Sequence, residues 1–169
     1  MLTQTPNSPS SNGEGLLYTE EIPKEENIPN KREQYRQFQH WLNETYNLGV
    51  KENGKFNFLF KKHLIRAMEC EIGADFDDNW GNKSKILFTP LGIDKENKNN
   101  QIKILQAALA YRGYWNKDFD GNFDESLKEQ VSKFQKDNNL AWDGNVGWTT
   151  MSMIFGRKQV EGEHESCGT

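Results

Sequence analysis

Asp118, Asp120, Asn122, Asp124, Ser126 and Glu129 fall at positions 1, 3, 5, 7, 9 and 12 of a single loop, the oxygen-ligand series of an EF-hand-like calcium site. Phe123 stands where that loop requires glycine for its sharp turn, so the series lacks the backbone that would close it around a cation. Glycoside hydrolysis needs two carboxylates across a sugar, one of them desolvated. The cluster of Asp118, Asp120, Asp124 and Glu125 lies on a turn, where capping and solvation account for acidic side chains. A catalytic zinc needs three protein ligands. The histidines are His40, His63 and His164, none at HxxxH or HxH spacing. These residues give no catalytic site, no metal site and no cofactor. A different chemistry gathers around Gly113, which is flanked by Tyr111, Arg112, Tyr114 and Trp115, while Trp148 follows a later glycine turn. Aromatic faces pack on the CH surfaces of sugars or on peptides, and an arginine offers a planar fork for carboxylates. Tryptophan and tyrosine are also ordinary core residues of small domains. Trp80 and Trp142 are read as core, Trp115 and Trp148 as surface.

The elements that carry these residues repeat. NGKFN at 53–57, DDNWG at 77–81, DGNFD at 120–124 and DGNVG at 143–147 each join an Asp or Asn and a small turn residue to an apolar anchor. Gly54 and Gly121 are 67 residues apart, and at the same offset Phe38-Gln39-x-x-Leu42 matches Leu105-Gln106-x-x-Leu109. Beyond the turn the offset is 66, where Ile65-x-x-Met68-Glu69 matches Val131-x-x-Phe134-Gln135. A fixed period means that matched segments share a fold. Ile102, Leu105, Gln106 and Leu109 follow the spacing of one helix face, ended by Gly113. Leu127, Val131 and Phe134 give a second helix, opened by Asp124-Glu125-Ser126. Thr149, Thr150, Met153 and Ile154 give a third. Leu105, Leu109, Phe123, Val131, Phe134 and Ile154 are expected in the core, with Gln106 and Gln135 satisfying backbone groups there. The expected fold is mainly α: two tandem three-helix modules with glycine turns, each too small to stand alone and therefore packed on the other.

In order, Leu105-Gln106, Gly113-Tyr114, Asp120-Gly121-Asn122-Phe123, Val131, Phe134-Gln135, Leu140, Asp143-Gly144-Asn145-Val146-Gly147 and Thr150 resemble the peptidoglycan-binding domain family. The segment Phe38-Gln39-x-Trp41-Leu42-Asn43-x-Thr45-Tyr46 is similar to the companion repeat in the C-terminal wall-binding parts of phage endolysins, amidases or lysozymes. Asn53 stands for the first Asp of its turn, Asn57 and Asp124 for closing glycines, Asp78 for a glycine, and Phe60 and Leu127 where the family often has Thr. Asn and Asp also tolerate turn conformations. The resemblance implies a non-catalytic module that binds peptidoglycan, by glycan or stem peptide, through Tyr111, Arg112, Tyr114, Trp115 and Trp148. It further implies a catalytic hydrolase domain, fused or associated, which such a module would hold at its substrate. Two rival readings are a protein-interaction or homo-oligomerisation module, supported by the altered turns of the first repeat, and a small wall hydrolase.

The expected organisation is an acidic tail or linker at 1–34, a first, degenerate module at 35–90, a linker at 91–100, a second module at 101–157 and an acidic tail at 158–169. Residues 35–90 and 101–158 each hold eight Lys/Arg against seven Asp/Glu, so the net charge of −4 comes from the ends. Such nearly neutral modules lack the clustered basic face of a nucleic-acid binder. No apolar run approaches the roughly 18 residues of a membrane span. The N-terminal MLTQTPNSPSSNG lacks a signal peptide's basic start and apolar stretch. The expected partner is therefore the wall, not a membrane, with synthesis in the cytoplasm and release by a separate route if the protein is phage-encoded. A linker at the start is expected in a fragment or internal-start product of a larger hydrolase. Cys70, placed on the core side of a helix, and Cys167 in the acidic tail are expected as free thiols.

Overall fold

The computed structural model describes residues 18–77 and 79–156. Among them are six helices: α1 (Tyr18–Tyr46), α2 (Phe58–Ile72), α3 (Asn82–Leu87), α4 (Asn99–Tyr111), α5 (Glu125–Asp137) and α6 (Trp148–Ile154). The mainly helical reading holds. Beyond the helices there is one isolated antiparallel bridge, between Leu91 and Val146.

Local chemistry sets the helix ends. Asn57 and Asp124 cap α2 and α5, their side-chain oxygens accepting from the backbone N–H groups of Phe60 (3.0 Å) and Leu127 (2.9 Å). At the other end, Gly113 adopts φ +86°, which lets Tyr114 N–H return to the Leu109 carbonyl at 2.8 Å and stops α4. Asn139, at φ +60°, does the same after α5, with Leu140 N–H on the Gln135 carbonyl at 2.8 Å.

All four repeated motifs form the same Asx turn. The side-chain oxygens of Asn53, Asp77, Asp120 and Asp143 accept from the backbone N–H two residues on, at 2.9, 2.9, 3.0 and 2.9 Å. Three of these turns are gripped by a buried glutamine. Gln39, Gln106 and Gln135 each accept from the turn glycine's N–H, at 2.7, 3.0 and 2.9 Å from Gly54, Gly121 and Gly144. Each then donates to the carbonyl one residue beyond, on Lys55 (2.9 Å), Asn122 (3.4 Å) or Asn145 (2.7 Å). One amide thus satisfies two backbone groups, and the expected role of Gln106 and Gln135 is observed. At the fourth turn the residue in register is Glu69, which is fully buried.

The core is one cluster that crosses both halves, including Leu42, Leu64, Met68, Trp80, Leu105, Leu109 and Phe134. α2 lies against α4. Phe38 and Phe56 meet Phe119 of the second half at 4.9 and 6.0 Å, and Tyr46 O–H and the Asn100 amide both donate to Glu71 Oε1, at 2.7 and 2.9 Å. Of the residues expected in the core, Leu105, Leu109, Val131, Phe134 and Ile154 are buried and Phe123 is half-buried against the cluster.

Several boundaries differ from the sequence expectation. α1 begins inside the segment read as a linker, and its Gln34 side chain donates to Asp118 Oδ1 at 3.2 Å. The 91–100 segment is not a free linker. Leu91 is wholly buried and exchanges backbone hydrogen bonds with Val146 at 2.9 and 2.8 Å, and the Asn97 amide clamps Gly92. Cys70 is exposed rather than on the core side; partial desolvation of its thiol, and then the neighbouring Glu71 carboxylate, raise its pKa from the ordinary value. Cys167, His164 and the 158–169 tail lie outside the described residues. Among the described residues no helix is long and apolar enough to cross a membrane.

Candidate functional site

The acidic loop is taken up by the fold. Asp124 caps α5, and Asp120 Oδ1 accepts from the Gln106 amide at 2.9 Å as well as from Asn122 N–H. Burial pushes the Asp120 carboxyl up, but these hydrogen bonds outweigh it and leave the group below its ordinary range. Among the described residues no group of three or more His, Cys, Asp or Glu converges as a metal cage.

The end of α4 meets the end of α5 in an open hollow lined by Tyr111, Arg112, Tyr114, Phe134, Asp137 and Asn138. The Gly113 turn swings the chain so that Tyr114 comes back over α5. Its ring meets Phe134 edge-on at 5.1 Å, and its hydroxyl donates to Asp137 Oδ2 at 2.8 Å. That bond holds the Asp137 carboxyl below the usual range, against the opposing effect of burial and with help from Lys133. Burial, and then Asp137, raise the Tyr114 phenol. The Arg112 side chain is exposed, with its guanidinium carbon 5.9 Å from the Phe134 ring centre. The hollow thus offers half-buried aromatic surface, a planar donor fork and a carboxylate that stays ionised.

Three of the five expected site residues, Tyr111, Arg112 and Tyr114, come together here. The other two do not. Trp115 is 4% exposed, with its indole N–H donating to the Asp118 carbonyl at 3.0 Å, so it closes the 115–118 turn from inside. Trp148 is half-buried and stacks on Trp80 at 5.0 Å and 13°, which occupies a ring face. Trp80 is in the core as expected, but Trp142 is 62% exposed and lies beneath Lys136 instead. Asp137 and Asn138 were not singled out from sequence. Their only signal is the Asp137-Asn138-Asn139 run that ends α5.

Residues 98–154, the stretch that contains this hollow, match the family described as "Putative peptidoglycan binding domain". The chain therefore carries a peptidoglycan-binding domain there, a binding domain rather than a catalytic one. Two proteins of Bacillus subtilis (strain 168) are similar to the chain: the uncharacterized protein FadG, 34% identical over 107 residues, and the uncharacterized protein YbfG, 36% identical over 106 residues. These alignments cover 57% and 58% of this chain but only 18% and 14% of the relatives. The chain thus spans less than a fifth of the length of either relative. No solved structure matches it.

Proposed function

We propose that this chain is a non-catalytic wall-targeting element that binds peptidoglycan through the Tyr111–Arg112–Tyr114 hollow and holds a wall hydrolase, such as a phage endolysin, at its substrate. The observation that carries the reading is the position of that hollow, inside the family-matched stretch and built from an arginine fork beside aromatic faces. The first half is a degenerate copy of the second. Four Asx turns with one geometry and a Gln39 clamp that reproduces those of Gln106 and Gln135 support this. A tethered hydrolase gains effective concentration without any bond being broken by the tether. The test is co-sedimentation of the purified chain with peptidoglycan sacculi. Sedimentation of the wild type and its reduction in Arg112→Ala are expected, whereas a chain left wholly in the supernatant overturns the reading.

A second reading has its own observation. Phe58, Leu59, Phe76, Ile86 and Leu87 are all exposed and all belong to the first half. Apolar side chains gathered on one half suit a protein contact or a homo-oligomer. Light scattering after size exclusion separates the readings, since a stable oligomer that ignores sacculi fits only this one.

A further inference from the structure

Lys61 on α2 and Arg112 at the end of α4 point at one place. Gly156, just beyond α6, marks it: a Cβ built there would lie 2.9 Å from Lys61 Nζ and 3.9 Å from an Arg112 terminal nitrogen. Both cationic nitrogens are therefore within 3.9 Å of a single point that glycine leaves open. Neither side chain has a carboxylate partner among the described residues, unlike Arg36 with Glu33 or Lys133 with Asp137. Burial lowers the Lys61 pKa, and the neighbouring Arg112 and Lys62 lower it further, so no carboxylate among the described residues compensates the lysine's charge. Two like charges set together without a counter-charge are unfavourable in the free protein, and an anion between them relieves that cost.

We propose that Lys61 and Arg112 form a two-cation clamp for one carboxylate of the wall peptide, assembled only because the two halves dock. This rests on the peptidoglycan-binding reading and deepens it. The planar Arg112 fork takes the two carboxylate oxygens side by side, and Lys61 contributes a compact point charge from across the seam. The exposed Phe58 ring, 4.7 Å from Lys61 Nζ, and the Tyr111 side of the hollow flank the clamp with apolar surface for the rest of the peptide. A carboxylate is favoured over a phosphate because Asp137 lines the same hollow as an anion and disfavours a ligand of higher charge.

The experiment uses the full chain and three wall preparations: untreated sacculi, sacculi stripped of phosphate-linked polymers with hydrofluoric acid, and stripped sacculi whose carboxyls are amidated with carbodiimide and ammonia. Wild type is expected on the first two and lost from the third. Lys61→Gln is expected to bind stripped sacculi about tenfold or more weakly, the range of a lost charge-assisted hydrogen bond. Lys61→Arg restores binding, and Lys61→Gln melts no lower than wild type because it removes a repelled charge. Undiminished binding of Lys61→Gln, or of wild type to amidated sacculi, overturns the clamp while leaving the wall-binding reading intact. Loss of binding on phosphate stripping alone also overturns it, in favour of a phosphate ligand. Failure of wild type on every preparation sinks the wall-binding reading itself.

Discussion

Replacing Gln135 by Ala removes a side chain that is 1% exposed and holds the last glycine turn at several points. Its amide accepts from Gly144 N–H at 2.9 Å and donates to the Asn145 carbonyl at 2.7 Å and to Thr150 Oγ1 at 3.0 Å. Two backbone groups lose their partner in the variant, one of them on the buried Gly144. Each orphaned buried group costs roughly 1–3 kcal/mol, and water entering the vacated space recovers part of that, so about 3 kcal/mol is expected. For a chain of this size 1 kcal/mol moves Tm by roughly 2–4 °C, which places the fall at roughly 6–12 °C. Thermal melts followed by circular dichroism measure it. Gln37→Ala is the control, because Gln37 is exposed, donates among the described residues only to Glu33, and should change stability by less than about 0.5 kcal/mol. A Gln135→Ala protein that melted within about 2 °C of wild type would refute the clamp as a source of stability.

Other expectations follow from the same geometry. Trp115→Ala should cost about 3–5 kcal/mol, the range for deleting a buried aromatic, while Trp142→Ala stays within about 0.5 kcal/mol; equal losses in urea titrations would contradict their opposite burial. Tyr114→Phe should move the Asp137 pKa up toward the ordinary carboxylate range, because the phenol bond is the main cause of its depression. A carboxyl depressed in the fold adds stability above its unfolded pKa and loses it as pH falls through the folded one, so the variant should lose less stability on acidification. An NMR titration of Asp137 that was identical in both proteins would contradict this.

The turns and their glutamines were legible because both are local chemistry: an Asx–glycine turn writes itself in adjacent residues, and a buried amide on a helix face must find backbone partners. Helix ends at Gly113 and Asp124 were readable for the same reason. Burial of the tryptophans was not. Trp115 and Trp142 both sit outside helices, where no period of 3.6 or 2 tells which way a side chain faces. Cys70 shows the reverse error. It stands two residues beyond Met68, roughly 200° around α2, and so leaves the stripe that Leu64, Ile65 and Met68 bury. At the site, Tyr111, Arg112 and Tyr114 were visible as neighbours of one glycine, whereas Asp137 and Lys61 reach it from other helices. Such meetings depend on how α2, α4 and α5 pack, which one sequence does not state.

The most direct measurement is the fraction of protein that co-sediments with purified sacculi for wild type and for Arg112→Ala at matched concentration and salt. Wild type is expected in the pellet, with Arg112→Ala folded by circular dichroism yet shifted about tenfold or more toward the supernatant. A wild-type chain that stays in solution, or an Arg112→Ala protein that pellets equally well, would contradict the assignment of the α4–α5 hollow as the wall-binding surface.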